Sequence, residues 1–168
     1  MTSSRTSTVP TADPLSFTSY AETTTTPAGT TNSTYEPALR RWTTTSGTAR
    51  QSVTPLDVRG RPFFARFANL APATVEYDAR GRVGAIAAGT FPDIRETTFA
   101  YDSLSRLSSV TDPLSRTVSF AYDAANRVTE QTLPDGRVVG FSYDQNGNVT
   151  SITPPGRPAH DLGYTPVD

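Results

Sequence analysis

Short runs in which apolar and polar side chains alternate one by one recur through the second half of the chain. Thr117-Val118-Ser119-Phe120-Ala121-Tyr122 and Arg137-Val138-Val139-Gly140-Phe141-Ser142-Tyr143 are two of them. Alternation at period two, carried by β-branched and aromatic residues, predicts strands. No stretch has helical periodicity. Turn signals separate the runs. Asp78 with Gly81 three residues on is the pattern of a type I turn leaving through a left-handed residue. Gly60, Gly81 and Gly147 supply the positive φ that such an exit needs, and Asn126 tolerates it, with Ser105 the weak member. A second kind of turn is marked by Asp112-Pro113, by Leu133-Pro134-Asp135-Gly136 and by Pro154-Pro155-Gly156, followed by Arg116, Arg137 and Arg157. Two strands and two turns per unit build an antiparallel ribbon of β-hairpins, so the fold class is all-β. Phe99 and Tyr101, Phe120 and Tyr122, and Phe141 and Tyr143 then fall on one face as an aromatic spine, with equivalent residues roughly 9–10 Å apart.

The turns follow a frame. Tyr-Asp followed by Arg or Asn and then Val or Leu occurs as YDARGRV from Tyr77, YDSLSRL from Tyr101, YDAANRV from Tyr122 and YDQNGNV from Tyr143, at intervals of 24, 21 and 21 residues. Fainter copies stand 21 residues before and after: LDVRGRP from Leu56, YEPALRR from Tyr35, and Tyr164 near the end. The domain reading is a Ser/Thr-rich, partly disordered leader over 1–34 and a repeat region over 35–168. Its units start near 35, 56, 77, 101, 122, 143 and 164. A fixed period of this size marks a repeat architecture whose units bury their faces only by stacking on neighbours. The motif residues are Tyr77, Asp78, Gly81, Arg82, Tyr101, Asp102, Arg106, Tyr122, Asp123, Arg127, Tyr143, Asp144 and Gly147. Arg just past the turn lies near the Asp of its own or an adjacent unit, an Asp–Arg ladder that sets register more than stability.

The leader changes this picture only in part. Residues 1–50 hold 16 Thr and 7 Ser, with Pro at positions 10, 14, 27 and 37. Such a segment buries little, although Thr suits a pleated surface, so strands are also open to it from about Leu15. Leu, Ile, Val and Phe make up 19% of the chain, a fraction at which disorder competes, but the net charge of −1 and the aromatic content of 10% favour order in the repeats. All 15 basic residues are Arg, mostly at the repeated motif position, with no basic run for nucleic acid. The absence of Cys removes disulfides, thiolate metal sites and thiol nucleophiles. No apolar run reaches the length of a membrane span, and the N-terminus lacks the apolar core of a secretory signal.

Candidate chemistry is thin. His160, the single histidine, has no nucleophile or orienting partner placed beside it. The aspartates at 78, 102, 123 and 144 recur at repeat spacing, too far apart for paired acid–base work, and read as turn formers. No cofactor and no metal site are expected. Aromatic faces flanked by polar groups suit carbohydrate rings, and Trp42 is the best single candidate for such stacking. An ordinary half-buried strand residue is the alternative for it.

The phrases YDARGRV, YDSLSRL, YDAANRV and YDQNGNV, with TDPLSRTVSFAYD and TLPDGRVVGFSYD between them, resemble the YD repeats of Rhs proteins. Related repeats occur in bacterial polymorphic toxins, in the cocoon of insecticidal Tc toxins and in teneurins. The resemblance covers about Tyr35 to Asp168. It implies a coiled β-sheet that forms part of a hollow shell, and a non-enzymatic structural role in enclosing a toxin polypeptide. It implies as partners further YD repeats or an encapsulated toxin domain, and an extracellular or cell-surface setting. A carbohydrate- or cell-surface-binding repeat module is the alternative function. The family's aspartyl self-cleaving region has no counterpart, and Asp112-Pro113 sits inside a repeat turn where Asp-Pro is ordinary. An open sheet of seven units leaves unpaired edges and buries little, so the chain is expected to be a fragment or a degraded copy of a longer gene, prone to aggregate or stay partly disordered when isolated.

Overall fold

A computed structural model describes residues 2–8 and 19–164, in which the regular structure is fifteen β-strands and one 3-10 turn. The chain forms two compact units, Met1–Arg95 and Glu96–Asp168. The first holds β1 (Thr2–Thr8), β2 (Ser19–Thr26), β3 (Gly29–Glu36), β4 (Arg41–Thr45), β5 (Gln51–Pro55), β6 (Phe64–Phe67), β7 (Ala73–Tyr77) and β8 (Val83–Ala88). Each strand in it pairs antiparallel with the next. The second is a meander of the same kind, of β9 (Arg95–Tyr101), β10 (Leu107–Thr111), β11 (Thr117–Tyr122), β12 (Val128–Thr132), β13 (Val138–Tyr143), β14 (Val149–Thr153) and β15 (His160–Asp161). The all-β, antiparallel hairpin fold expected from the alternation is the fold observed.

Thr-rich stretches of the leader are strands β2 and β3. Cross-strand hydroxyls hold them: Thr25 and Thr30 share a hydrogen bond at 3.2 Å, and Thr23 Oγ1 donates to Asn32 Oδ1 at 2.8 Å. A β-branched hydroxyl residue therefore fills a pleated surface and also supplies the pair interaction across it. What the leader does over residues 9–18 lies outside the described residues.

Hairpins alternate in geometry. Across the Tyr-Asp turns a bulge recurs one residue from the tyrosine. Tyr122 faces Val128 but Ala121 faces Glu130, Tyr143 faces Val149 but Ser142 faces Ser151, and the Tyr77 and Tyr101 hairpins repeat the shift. Across the other turns the register is unbroken, as in Thr111↔Thr117 and Thr132↔Val138. One bulge per unit adds right-handed twist in the same sense at each repeat.

Register sorts the second unit's side chains onto two faces. Residues directly opposite share a face, and the rows Phe99–Val110–Val118, Phe120–Gln131–Val139 and Phe141–Ile152–His160 are mostly apolar. The intervening rows run through Ala100, Ser109 and Ser119, and through Ser142 and Ser151. Phe99, Tyr101, Phe120, Tyr122, Phe141 and Tyr143 are half-buried while Ala100, Ala121 and Ser142 between them are exposed, which is the aromatic spine foreseen from alternation. Neither unit closes a core: Ala85 alone among the described residues is buried.

Candidate functional site

The recurring element is a five-residue turn that begins at Asp and ends at Arg. In Asp123–Arg127 the Asp123 amide donates to the Arg127 carbonyl at 3.0 Å and the Asn126 amide to the Asp123 carbonyl at 3.1 Å. The carboxylate then closes the turn: Oδ1 accepts from the Ala125 and Arg127 amides, each at 2.9 Å, and Oδ2 from Arg127 Nε at 2.7 Å. Asp57–Arg61, Asp78–Arg82 and Asp102–Arg106 repeat the carboxylate–guanidinium bond, at 2.8, 2.7 and 2.7 Å. In Asp144–Asn148 the Asn148 amide side chain takes the guanidinium's place at 2.8 Å. The left-handed fourth residue is Gly60, Gly81, Ser105, Asn126 or Gly147, all with positive φ. The Asp–Arg ladder thus lies within each unit's own turn.

These contacts set the titration of the acids. The Arg61 backbone N–H, then its guanidinium, bring Asp57 down to about 2. At Asp78 and Asp102 partial burial pushes the carboxyl up, and the donors of Arg82 and Arg106 more than offset it, leaving both below the usual carboxylate range. The Arg127 amide lowers Asp123, and the Asn148 side chain lowers Asp144.

Between repeats a second set of contacts appears, which sequence reasoning missed. The Arg106 guanidinium lies 4.6 Å from the Tyr122 ring centroid, Arg127 lies 4.7 Å from that of Tyr143, and Arg61 lies 4.1 Å from that of Tyr77. Arg106 Nη1 donates to the Asp123 carbonyl at 3.1 Å, and Arg127 Nη1 to the Asp144 carbonyl at 2.8 Å. The tyrosine answers through its hydroxyl. Tyr122 donates to the Leu107 carbonyl and Tyr143 to the Val128 carbonyl, both at 2.7 Å, with Tyr77 to Pro62 and Tyr164 to Val149 at 2.7 and 2.9 Å. Each acceptor immediately follows the motif Arg or Asn, fifteen residues before the tyrosine. That constant offset was the signal available in the sequence. Tyr, Asp and Arg therefore serve separate joints: Asp–Arg fixes one turn, and Arg–Tyr fastens that turn to the next.

Other candidates fall elsewhere. In the Tyr35 unit the partner of Glu36 is Arg41, at 3.0 Å, because the 3-10 turn Pro37–Leu39 and left-handed Arg40 lengthen the loop. Trp42 lies between Tyr20, edge to face at 5.7 Å, and Tyr35, tilted at 5.2 Å. His160 is an exposed edge-strand residue. The Asp112 carboxylate is engaged by its own turn, accepting from the Leu114 and Arg116 amides and from Arg116 Nε. No group of three metal-ligating side chains occurs among the described residues. No helix among the described residues is long and apolar enough to cross a membrane.

No curated protein matches the chain in sequence. Among solved structures, the crystal structure of TcdB2-TccC3-Cdc42 superposes with a TM-score of 0.58 at 11% identity over 95% of this chain. The Photorhabdus luminescens Tc holotoxin pore gives 0.50 at 13% over 81%. The chain spans 10% of the length of each of those two chains, and at such identity the likeness is one of fold. A family model, the teneurin YD-shell, matches residues 34–166, a stretch that contains every Tyr-Asp-Arg joint described above. The chain belongs to the teneurin YD-shell family.

Proposed function

We propose that the chain is a non-enzymatic stretch of shell wall that, together with further YD repeats, encloses a toxin polypeptide in an extracellular or cell-surface setting. The observation that carries the reading is the division of labour among the motif residues. Every Tyr, Asp and Arg of the joints described above is engaged in holding a turn or in linking it to the next. Motif side chains committed to one another in this way build a wall rather than presenting reactive groups to a substrate. The two-faced register of the second unit supports the same reading, because an enclosing sheet needs one face compatible with exposed apolar chain and one with water.

The test is co-expression of the chain, within its own reading frame and neighbours, with the polypeptide encoded beside it. Limited proteolysis of the purified assembly should spare that polypeptide while the same polypeptide alone is digested. Equal digestion rates with and without the repeats would remove the enclosing role and leave only the architecture.

A further inference from the structure

Arg50 and Arg66 depart from the repeat pattern in complementary ways. The turn Ser46–Arg50 joins β4 to β5 with the same backbone as Asp112–Arg116. Ser46 N donates to Arg50 O at 2.9 Å where Asp112 N donates to Arg116 O at 3.0 Å, and the fourth residues, Ala49 and Ser115, are left-handed at φ 57 and 61. The Arg50 amide donates to Ser46 Oγ at 3.2 Å, as the Arg116 amide does to Asp112 Oδ1 at 3.0 Å. What differs is the second carboxylate oxygen. Asp112 Oδ2 takes the Arg116 guanidinium at 2.5 Å, whereas Ser46 has only its hydroxyl, shared with Thr48 at 3.0 Å. Serine at this position keeps the turn and releases the arginine.

Arg66 is the second departure. It stands five residues past the motif Arg61, where the corresponding places after Arg82, Arg106, Arg127 and Asn148 hold Ala87, Thr111, Thr132 and Thr153. The repeat fold therefore needs no charge there. Arg66 pairs in register with Val53 and so shares its sheet face, with Phe64 on the same side, and the Ala68 amide donates to the Gln51 carbonyl at 2.7 Å, holding the end of β6 beside the residue that follows Arg50. Arg50 and Arg66 line one cleft of about 480 Å³ together with Asn69. On that face Phe64 and Leu70, the latter 68% exposed, line an adjoining hollow of about 470 Å³ that Arg66 and Asn69 also line. Among the described residues neither guanidinium has a hydrogen-bond or ion-pair partner.

We propose that this cleft binds an acidic, apolar segment of a partner polypeptide. One carboxylate of the segment sits between Arg50 and Arg66, in the role that the Asp side chain plays in the sister turn, and a neighbouring apolar side chain lies against Leu70 and Phe64. Guanidinium forks recognise carboxylates in planar, paired geometry. A single exposed pair contributes little, so two guanidiniums plus apolar contact are what give the segment an advantage over a free small anion. This site lies at the end of β5 opposite the Asp57–Arg61 joint and is independent of the wall role.

The probe is an acetylated, amidated hexapeptide alternating glutamate with leucine and phenylalanine, titrated into the full chain by calorimetry, beside its glutamine counterpart. The acidic peptide should bind and the glutamine peptide should not. Arg66→Gln should weaken binding by about fivefold or more. Ser46→Asp should weaken it comparably while raising thermal stability, because it recaptures Arg50 within the turn. Arg59→Gln, at the far end of the strand pair, should leave affinity unchanged. Equal binding of the glutamine peptide, full affinity in both Ser46→Asp and Arg66→Gln, or displacement of the peptide by acetate at matched carboxylate concentration would each overturn the proposal.

Discussion

Arg127 is held at 2.7 Å by the carboxylate of its own turn, and its guanidinium lies 4.7 Å from the ring centroid of Tyr143 in the next repeat. One side chain thus carries both the local fold of a turn and the register between turns. Lysine cannot do this, since it lacks the planar fork that satisfies Asp123 and stacks on a ring at the same time. Arg127→Lys should lower stability by about 1 kcal/mol and Arg127→Met by about 2 kcal/mol. Urea denaturation of each variant checks this, with the midpoint falling and the slope unchanged.

The tyrosine hydroxyl is a separate contribution. Tyr122 donates to the Leu107 carbonyl at 2.7 Å, next to the bulge that relaxes pairing at that strand end. Tyr122→Phe keeps the ring beneath Arg106 and removes only the hydroxyl bond, so the expected loss is about 1 kcal/mol. Hydrogen exchange should quicken at the β10–β11 end of the sheet, with β13 and β14 less affected. Uniform acceleration across the unit would mean that the bond acts globally instead.

How much of this was legible follows from distance along the chain. The Asp–Arg turn and its left-handed fourth residue depend on residues within four positions of one another, and Asp78 with Gly81 announces them. The Arg–Tyr joint depends on strand length and on one bulged residue per repeat, neither of which alternation encodes. Ser108, Thr129 and Thr150 look like ordinary strand residues, yet the register steps past each of them. The Thr-rich strands were hard to foresee for another reason: composition sees little to bury, while the stabilising contacts are hydroxyl pairs across the ladder.

Acid should open the turns. The folded-state carboxyls of Asp57, Asp78, Asp102, Asp123 and Asp144 all lie below their ordinary value. A group depressed in the folded state binds its proton more readily when unfolded, so its contribution is complete above about pH 4 and is lost as pH falls through the folded value. With Asp57 at about 2, that loss extends from roughly pH 4 toward pH 2. Thermal midpoints measured from pH 6 downward should be flat to about pH 4 and then fall. Asp123→Asn should lower the midpoint at neutral pH and flatten the acid limb.

Gly81 offers the sharpest test of the joint between repeats. Its φ is +86, and a Cβ built there lies 3.0 Å from Arg61 Nη1, a buried nitrogen with no hydrogen bond among the described residues. At the equivalent place in the Tyr122 unit, Asn126 adopts φ 63 and its Oδ1 accepts from Arg106 Nη1 at 3.1 Å. Asparagine tolerates the left-handed region, so Gly81→Asn should supply the missing acceptor and reduce the freedom of the unfolded chain. A gain of about 0.5–1 kcal/mol is expected. Gly81→Ala brings the same Cβ with no acceptor and with the full cost of a positive φ, and should lose about 1 kcal/mol. Opposite signs for the two variants in denaturant melts would establish that Arg61 Nη1 lacks an acceptor; equal losses would show that backbone conformation alone decides this position.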